Sequence, residues 1–210
     1  MMTWGRSAIR PWRQVLTGAF IFTASLLLVP GGFAADEKGQ FAVRGAGLVT
    51  CSVYGQEREA QSEAYLVIAA WMDGYITATN QYSPATYDSL SFETTELLAA
   101  VISEHCKKNP DERIFPVLKN LLEKLHYDRL GSLSKKTEVV LHERNVSLYV
   151  EVLKRVQQQL ANLGFYKGGI DGEFGSTTAN AISSFQKSIA FDPTGFPDQM
   201  TLWRLMRSPE

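Results

Sequence analysis

The spacing of hydrophobic positions changes several times along this chain, and each change predicts an element. From Ser62 onward, Ala64, Leu66, Val67, Ala70, Trp71, Gly74, Tyr75 and Ala78 recur at intervals of three and four. That interval builds one apolar helical face and predicts a helix ending near Asn80. Residues 81–91 place Pro84 among small polar side chains and predict a loop. Thr94 or Thr95 then stands as an N-cap ahead of Leu97, Leu98, Val101 and Ile102, so a second helix runs through His105-Cys106 and stops before Asn109-Pro110. A third is expected from Asp111, with Ile114, Phe115, Leu118, Leu121, Leu122 and Leu125 inside and Pro116 tolerated in its first turn.

The periodicity lapses over residues 129–146, where Gly131, Ser132, Ser134, Lys135, Lys136 and Glu138 leave only Val139 to Leu141 apolar. This stretch reads as a linker. Residues 148–163 restore the helical stripe through Val152, Val156, Leu160 and Leu163, with Gly164 as the C-terminal cap. Residues 164–175 form a connector whose glycines can take positive φ while Phe165, Ile170 and Phe174 point inward. A helix opens at Ser176 or Thr177 and carries Ala181, Ile182 and Phe185. After Asp192-Pro193-Thr194-Gly195, Asp198 caps a last helix with Met200, Leu202, Trp203 and Leu205 inside. The expected fold class is all-α, with a small helical domain over 36–128, the linker over 129–146 and a three-helix domain over 147–208.

The N-terminal pattern is of another kind. Arg6, Arg10 and Arg13 precede an uncharged apolar run from Val15 to Val29, followed by Pro30-Gly31-Gly32 and small residues around Ala34. This is the layout of a secretory signal peptide over residues 1–35, cleaved at Ala34 or Ala35. The run would span roughly 22 Å as a helix, short of the ~30 Å hydrocarbon core, so the membrane is met only through this segment before cleavage. The expected location is the periplasm. With 45% hydrophobic and 20% charged residues the chain is globular, and a formal net charge of -1 leaves no basic surface for nucleic acid.

Export gives the two cysteines a meaning. Cys51 and Cys106 are expected as a disulfide, which an oxidising compartment permits. The competing reading, a catalytic thiol, needs a histidine facing it, and His105 points roughly 100° away from its helical neighbour. His142-Glu143 lacks the second histidine of a zinc helix, because position 146 is valine. Glu93, Glu96, Glu104, Asp111 and Glu112 read as solvated helix-end charges. No catalytic residue, metal or cofactor is therefore expected.

Residues 153–160 with Gln157, then Leu163-Gly164-Phe165-Tyr166, Ile170-Asp171-Gly172, Phe174-Gly175, Thr178, Ala181, Phe185-Gln186, Thr194-Gly195, Thr201 and Leu205 closely resemble the three-helix peptidoglycan-binding family appended to cell-wall hydrolases. The one departure is Ala190, where members place a glycine before the turn at Phe191. The resemblance implies peptidoglycan as ligand. Glycan recognition asks for an aromatic face and amide or hydroxyl groups, which Tyr166, Asp171, Ser176, Thr177, Asn180 and Gln186 supply around the connector. The helix start beside them also presents backbone amides suited to a stem-peptide carboxylate.

In the first domain, Trp71-Met72-Asp73-Gly74-Tyr75, Asn80 and Cys106-Lys107-Lys108-Asn109-Pro110 resemble small periplasmic helical proteins of the HdeA-type chaperone and amidase-immunity group. That resemblance implies a disulfide-tied fold and a periplasmic protein partner. The expectation is an exported, non-catalytic peptidoglycan-binding protein that anchors a partner-binding module at the wall. The alternatives are an accessory or regulatory subunit of a cell-wall hydrolase, and a periplasmic acid-stress chaperone.

Overall fold

The computed structural model describes residues 35–207. The export segment predicted ahead of Ala34 or Ala35 lies outside them. The chain divides into two units, Met1–Phe41 and Ala42–Glu210. Of the first, the described part is a turn at Asp36, whose carboxylate accepts from the backbone N–H groups of Lys38 and Gln40.

The second unit is largely helical. Its first helix, α1 (Cys51–Glu59), is capped by the Thr50 hydroxyl, which accepts from Val53 N–H. No helix is predicted here because only Cys51 and Tyr54 are buried along it. Helix α2 (Glu63–Tyr82) starts at Ser62 and α3 (Thr95–Lys108) at Thr94; each hydroxyl accepts from the backbone N–H three residues on. Helix α4 (Ile114–Leu125) begins later than the expected Asp111, since the backbone before it is committed to α1. Pro110 and Glu112 carbonyls accept from Ser52 and Cys51 N–H at 2.8 and 2.7 Å, and Ile114 N–H donates to Val49 C=O at 2.9 Å. Cys51 and Cys106 are joined in a disulfide across this corner, both buried. Tyr54, Ile68, Met72, Leu98, Ile102, Ile114 and Leu118 make the core between the helices.

The stretch expected as a linker contains an antiparallel hairpin, β1 (Lys136–Leu141) and β2 (Arg144–Tyr149), with Val139 opposite Val146. Its two-residue turn puts His142 at φ +54°. Thr137, Val139, Leu141, Val146 and Leu148 are buried or half-buried while Lys136, Glu138, Val140, Asn145 and Ser147 between them are exposed, a period of two that the helical reading passed over. Because the strand runs through Tyr149, α5 (Val150–Asn162) starts two residues later than expected. Helices α6 (Ser176–Ser188) and α7 (Gln199–Arg207) complete the C-terminal part, and Thr201 N–H donates to the capping Asp198.

The two helical parts share a core. The cluster formed by Val152, Leu153, Val156, Ile182, Phe185 and Leu202 also takes in Phe92, Leu97 and Leu130, and Trp203 packs against both clusters. Polar contacts close the same seam. Gln199 donates to Phe92 C=O and accepts from Thr94 N–H, each at 2.9 Å. Arg207 pairs with Glu93 and Asp128, and Asp128 also holds Arg155 at 2.9 Å. Arg207 and Glu93 side chains are 5% and 0% exposed.

Two outcomes follow from this packing. Arg207→Met leaves the Glu93 carboxylate buried without its cation and should cost about 3–5 kcal/mol, while the Arg207→Met/Glu93→Leu pair should recover most of that in thermal melts. Cys106→Ser opens a loop with a separation of 55 residues and should cost about 4 kcal/mol in the chain-entropy account; the native protein should show no alkylatable thiol by mass analysis.

Candidate functional site

The connector and the turn before α7 are built on one plan. Gln157 on α5 is fully buried, and its amide oxygen accepts from Gly172 N–H at 2.8 Å. Its amide nitrogen donates to Asp171 Oδ1 at 2.7 Å and Glu173 C=O at 3.0 Å, with Thr178 Oγ1 at 3.4 Å. Gln186 on α6 repeats the arrangement. Its oxygen accepts from Gly195 N–H at 2.8 Å, and its nitrogen reaches Thr194 Oγ1, Phe196 C=O and Thr201 Oγ1 between 3.0 and 3.2 Å. Both turns need glycine. Gly172 and Gly195 have φ of +78° and +73°, and a Cβ would meet Val150 C=O or Ala179 C=O at 2.8 Å. Each glutamine thus fixes the turn that launches the following helix.

These contacts revise the expected rim. Gln186 is 1% exposed with its amide committed inside, so it braces the fold and does not face a ligand. Tyr166 is 6% exposed, and its hydroxyl donates to Gly169 C=O at 2.8 Å while accepting from Gln157. The loop closes over it: a Cβ at Gly168 would lie 2.6 Å from the Tyr166 hydroxyl oxygen. Ile170, expected inside, is 40% exposed; Phe185 is buried and Phe165 packs edge-on against it at 6.0 Å.

Asp171, Ser176, Thr177 and Asn180 do lie on the surface. Glu173 N–H and the Gln157 amide donate to Asp171 and hold its carboxyl below the usual range, so this turn is strongest at neutral pH and loosens as acid titrates the group through that lowered value. Ser176, Thr177 and Asn180 share the outward side of the start of α6, where Gly175 offers no side-chain cap. The surface is therefore one carboxylate, two hydroxyls and one amide beside helix-start N–H groups. It can accept and donate hydrogen bonds to a polar ligand. Among the described residues, no three His, Cys, Asp or Glu side chains gather as a metal site would require.

Residues 151–205 match the family model described as "Putative peptidoglycan binding domain". Over this segment the chain is similar to that family. A 74-residue stretch of the chain is also 36% identical to the N-acetylmuramoyl-L-alanine amidase CwlM of Mycobacterium tuberculosis (strain ATCC 25618 / H37Rv). That alignment covers 35% of this chain and 17% of the amidase. No solved structure matches the chain.

Within the peptidoglycan-binding domain, Ala190 occupies the position read as a family glycine, and its φ is +60°. The backbone keeps the left-handed turn after α6, with Phe191 N–H donating to Gln186 C=O at 2.8 Å, despite the added Cβ. The role of Gln157 was not assigned from sequence. A glutamine inside an apolar helical stripe, paired with Asp-Gly or Thr-Gly further on, was the signal that could have found it. Ala190→Gly should raise stability by about 1 kcal/mol. Gln157→Leu should lower it by about 2–3 kcal/mol, because Gly172 N–H loses its buried acceptor. Denaturant titration of both variants checks the pair of signs.

Proposed function

We propose that this chain is an exported, non-catalytic protein that holds to peptidoglycan through residues 151–205 and presents its helical part to a protein partner in the periplasm. The observation that carries the reading is the family match over a segment whose two glutamine turns and three helices are all in place. The exposed group of Asp171, Ser176, Thr177 and Asn180 is the proposed contact surface, since it is the part of the expected rim that remains open to solvent. Closure of Cys51 and Cys106 into a disulfide supports the non-catalytic reading by removing the thiol that a cysteine hydrolase would need.

A second reading, an accessory or regulatory subunit of a cell-wall hydrolase, draws on the shared segment with a protein named as an amidase. The chain spans 17% of that relative, so what is shared is the size of a targeting domain.

The test uses residues 36–210 as one chain, because the two helical parts share a core. Wild type should pellet with purified sacculi and release no soluble fragments from them. Thr177→Glu should pellet several-fold less while melting at or above the wild-type temperature: an acidic residue suits the first turn of a helix but repels wall carboxylates. Wild-type protein that stays in the supernatant across pH and salt would overturn the wall-anchor reading.

A further inference from the structure

Away from the peptidoglycan-binding domain, a cleft of about 360 Å³ opens between the last turns of α2, the loop after it, and α4. Its walls include Tyr75, Tyr82, Ser83, Ser89, Lys119 and Glu123. Ser89 is 3% exposed, and its hydroxyl makes no hydrogen bond within the protein. The residue is already fixed through its main chain, whose N–H donates to Asn80 Oδ1 at 2.7 Å. An unmatched buried hydroxyl lowers stability, and an alanine there would carry no such cost. The fold therefore retains a polar group that its own contacts do not use.

The surrounding side chains define what would use it. Tyr82 at the mouth is 73% exposed, a ring with a free face for an apolar surface to rest on. Tyr75 behind it is held rigid, stacked on Trp71 at 5.8 Å and edge-on to Phe115 at 5.4 Å. Lys119 and Glu123, paired at 2.6 Å, set a charged donor beside a charged acceptor. A pyranose matches this set. Its C–H face suits a tyrosine ring, and its hydroxyls each donate and accept, as Ser83, Ser89 and the Lys119–Glu123 pair require. The volume lies at the small-ligand end of binding clefts, suited to a short saccharide and not to a folded partner.

We propose that this cleft is a saccharide-binding site in the helical part, separate from residues 151–205. The choice of an N-acetylated wall-type sugar rests on the wall-anchor reading; the cleft's chemistry does not. The experiment is calorimetric titration of residues 36–210 with the β-1,4-linked N-acetylglucosamine tetramer, with melting curves of each variant. Wild type should bind saturably. Tyr82→Ala should weaken binding about fivefold or more at unchanged melting temperature. Ser89→Ala should weaken binding while raising the melting temperature by a few degrees, a combination that a purely structural serine would not give. Absence of heat at millimolar tetramer, or binding unchanged in both Tyr82→Ala and Ser89→Ala, overturns the proposal. Tetramer binding in a protein that fails to pellet with sacculi would leave this site standing and remove the wall anchor. Pelleting without tetramer binding would do the reverse.

Discussion

A buried primary amide whose oxygen and nitrogen are both spoken for is the constraint on which the C-terminal half depends. Gln157 and Gln186 each sit on the apolar side of a helix, where an unmatched amide would be costly, and each is matched by a turn that only glycine can complete. The dependence runs both ways. The turn supplies the N–H that satisfies the amide, and the amide fixes the turn at the angle that launches α6 or α7 against α5. Thr178 and Thr201 then close each arrangement from the first turns of the launched helices. The domain is held by two copies of one local device, which is why it can present a polar surface without a large core.

The seam with the first helical part follows from where α7 is aimed. Once Gly195 has turned the chain, Gln199 meets the backbone at Phe92 and Thr94, Trp203 reaches both apolar clusters, and Arg207 reaches Glu93 and Asp128. An Arg with two carboxylates, nearly closed to water, is weak evidence of net stability compared with apolar residues of the same shape, but removing one partner is severe. The ion cluster thus makes the seam costly to disturb at any one of its charges.

Much of this was legible in the residues. The N-caps at Thr94 and Asp198 and the faces of α3, α5 and α6 follow from spacing and capping chemistry, and the peptidoglycan-binding segment from its motif; α2 forms where expected but buries Tyr65, Ile68, Met72 and Ile76, while Leu66 and Val67 of the expected face are 63% and 64% exposed. Three features were hidden, each for a physical reason. Helix α1 buries too few side chains to show a stripe, because its position is set by the disulfide and by carbonyls from the 110–114 backbone. The hairpin alternates at period two among lysines and glutamates that a search for helical faces discards. Tyr166 and Gln186 look like ligand groups by type, and only the three-dimensional closure of the Gly168 loop and the Gly195 turn shows that their polar atoms are already used.

The same closure argues where a wall ligand can approach. The α7 side of the domain is covered by the first helical part, through Trp203, Gln199 and Arg207. The α5 side is buried along Val152, Leu153, Val156 and Leu160. The beginning of α6 with Ser176, Thr177 and Asn180 stays outward, next to an Asp171 carboxylate held in place by its own turn. A polymer such as a glycan strand could lie along this exposed edge. Burial against the helical part therefore does more than tie two modules together. It leaves the start of α6, with its unburied hydrogen-bonding groups, clear of the seam with the first helical part.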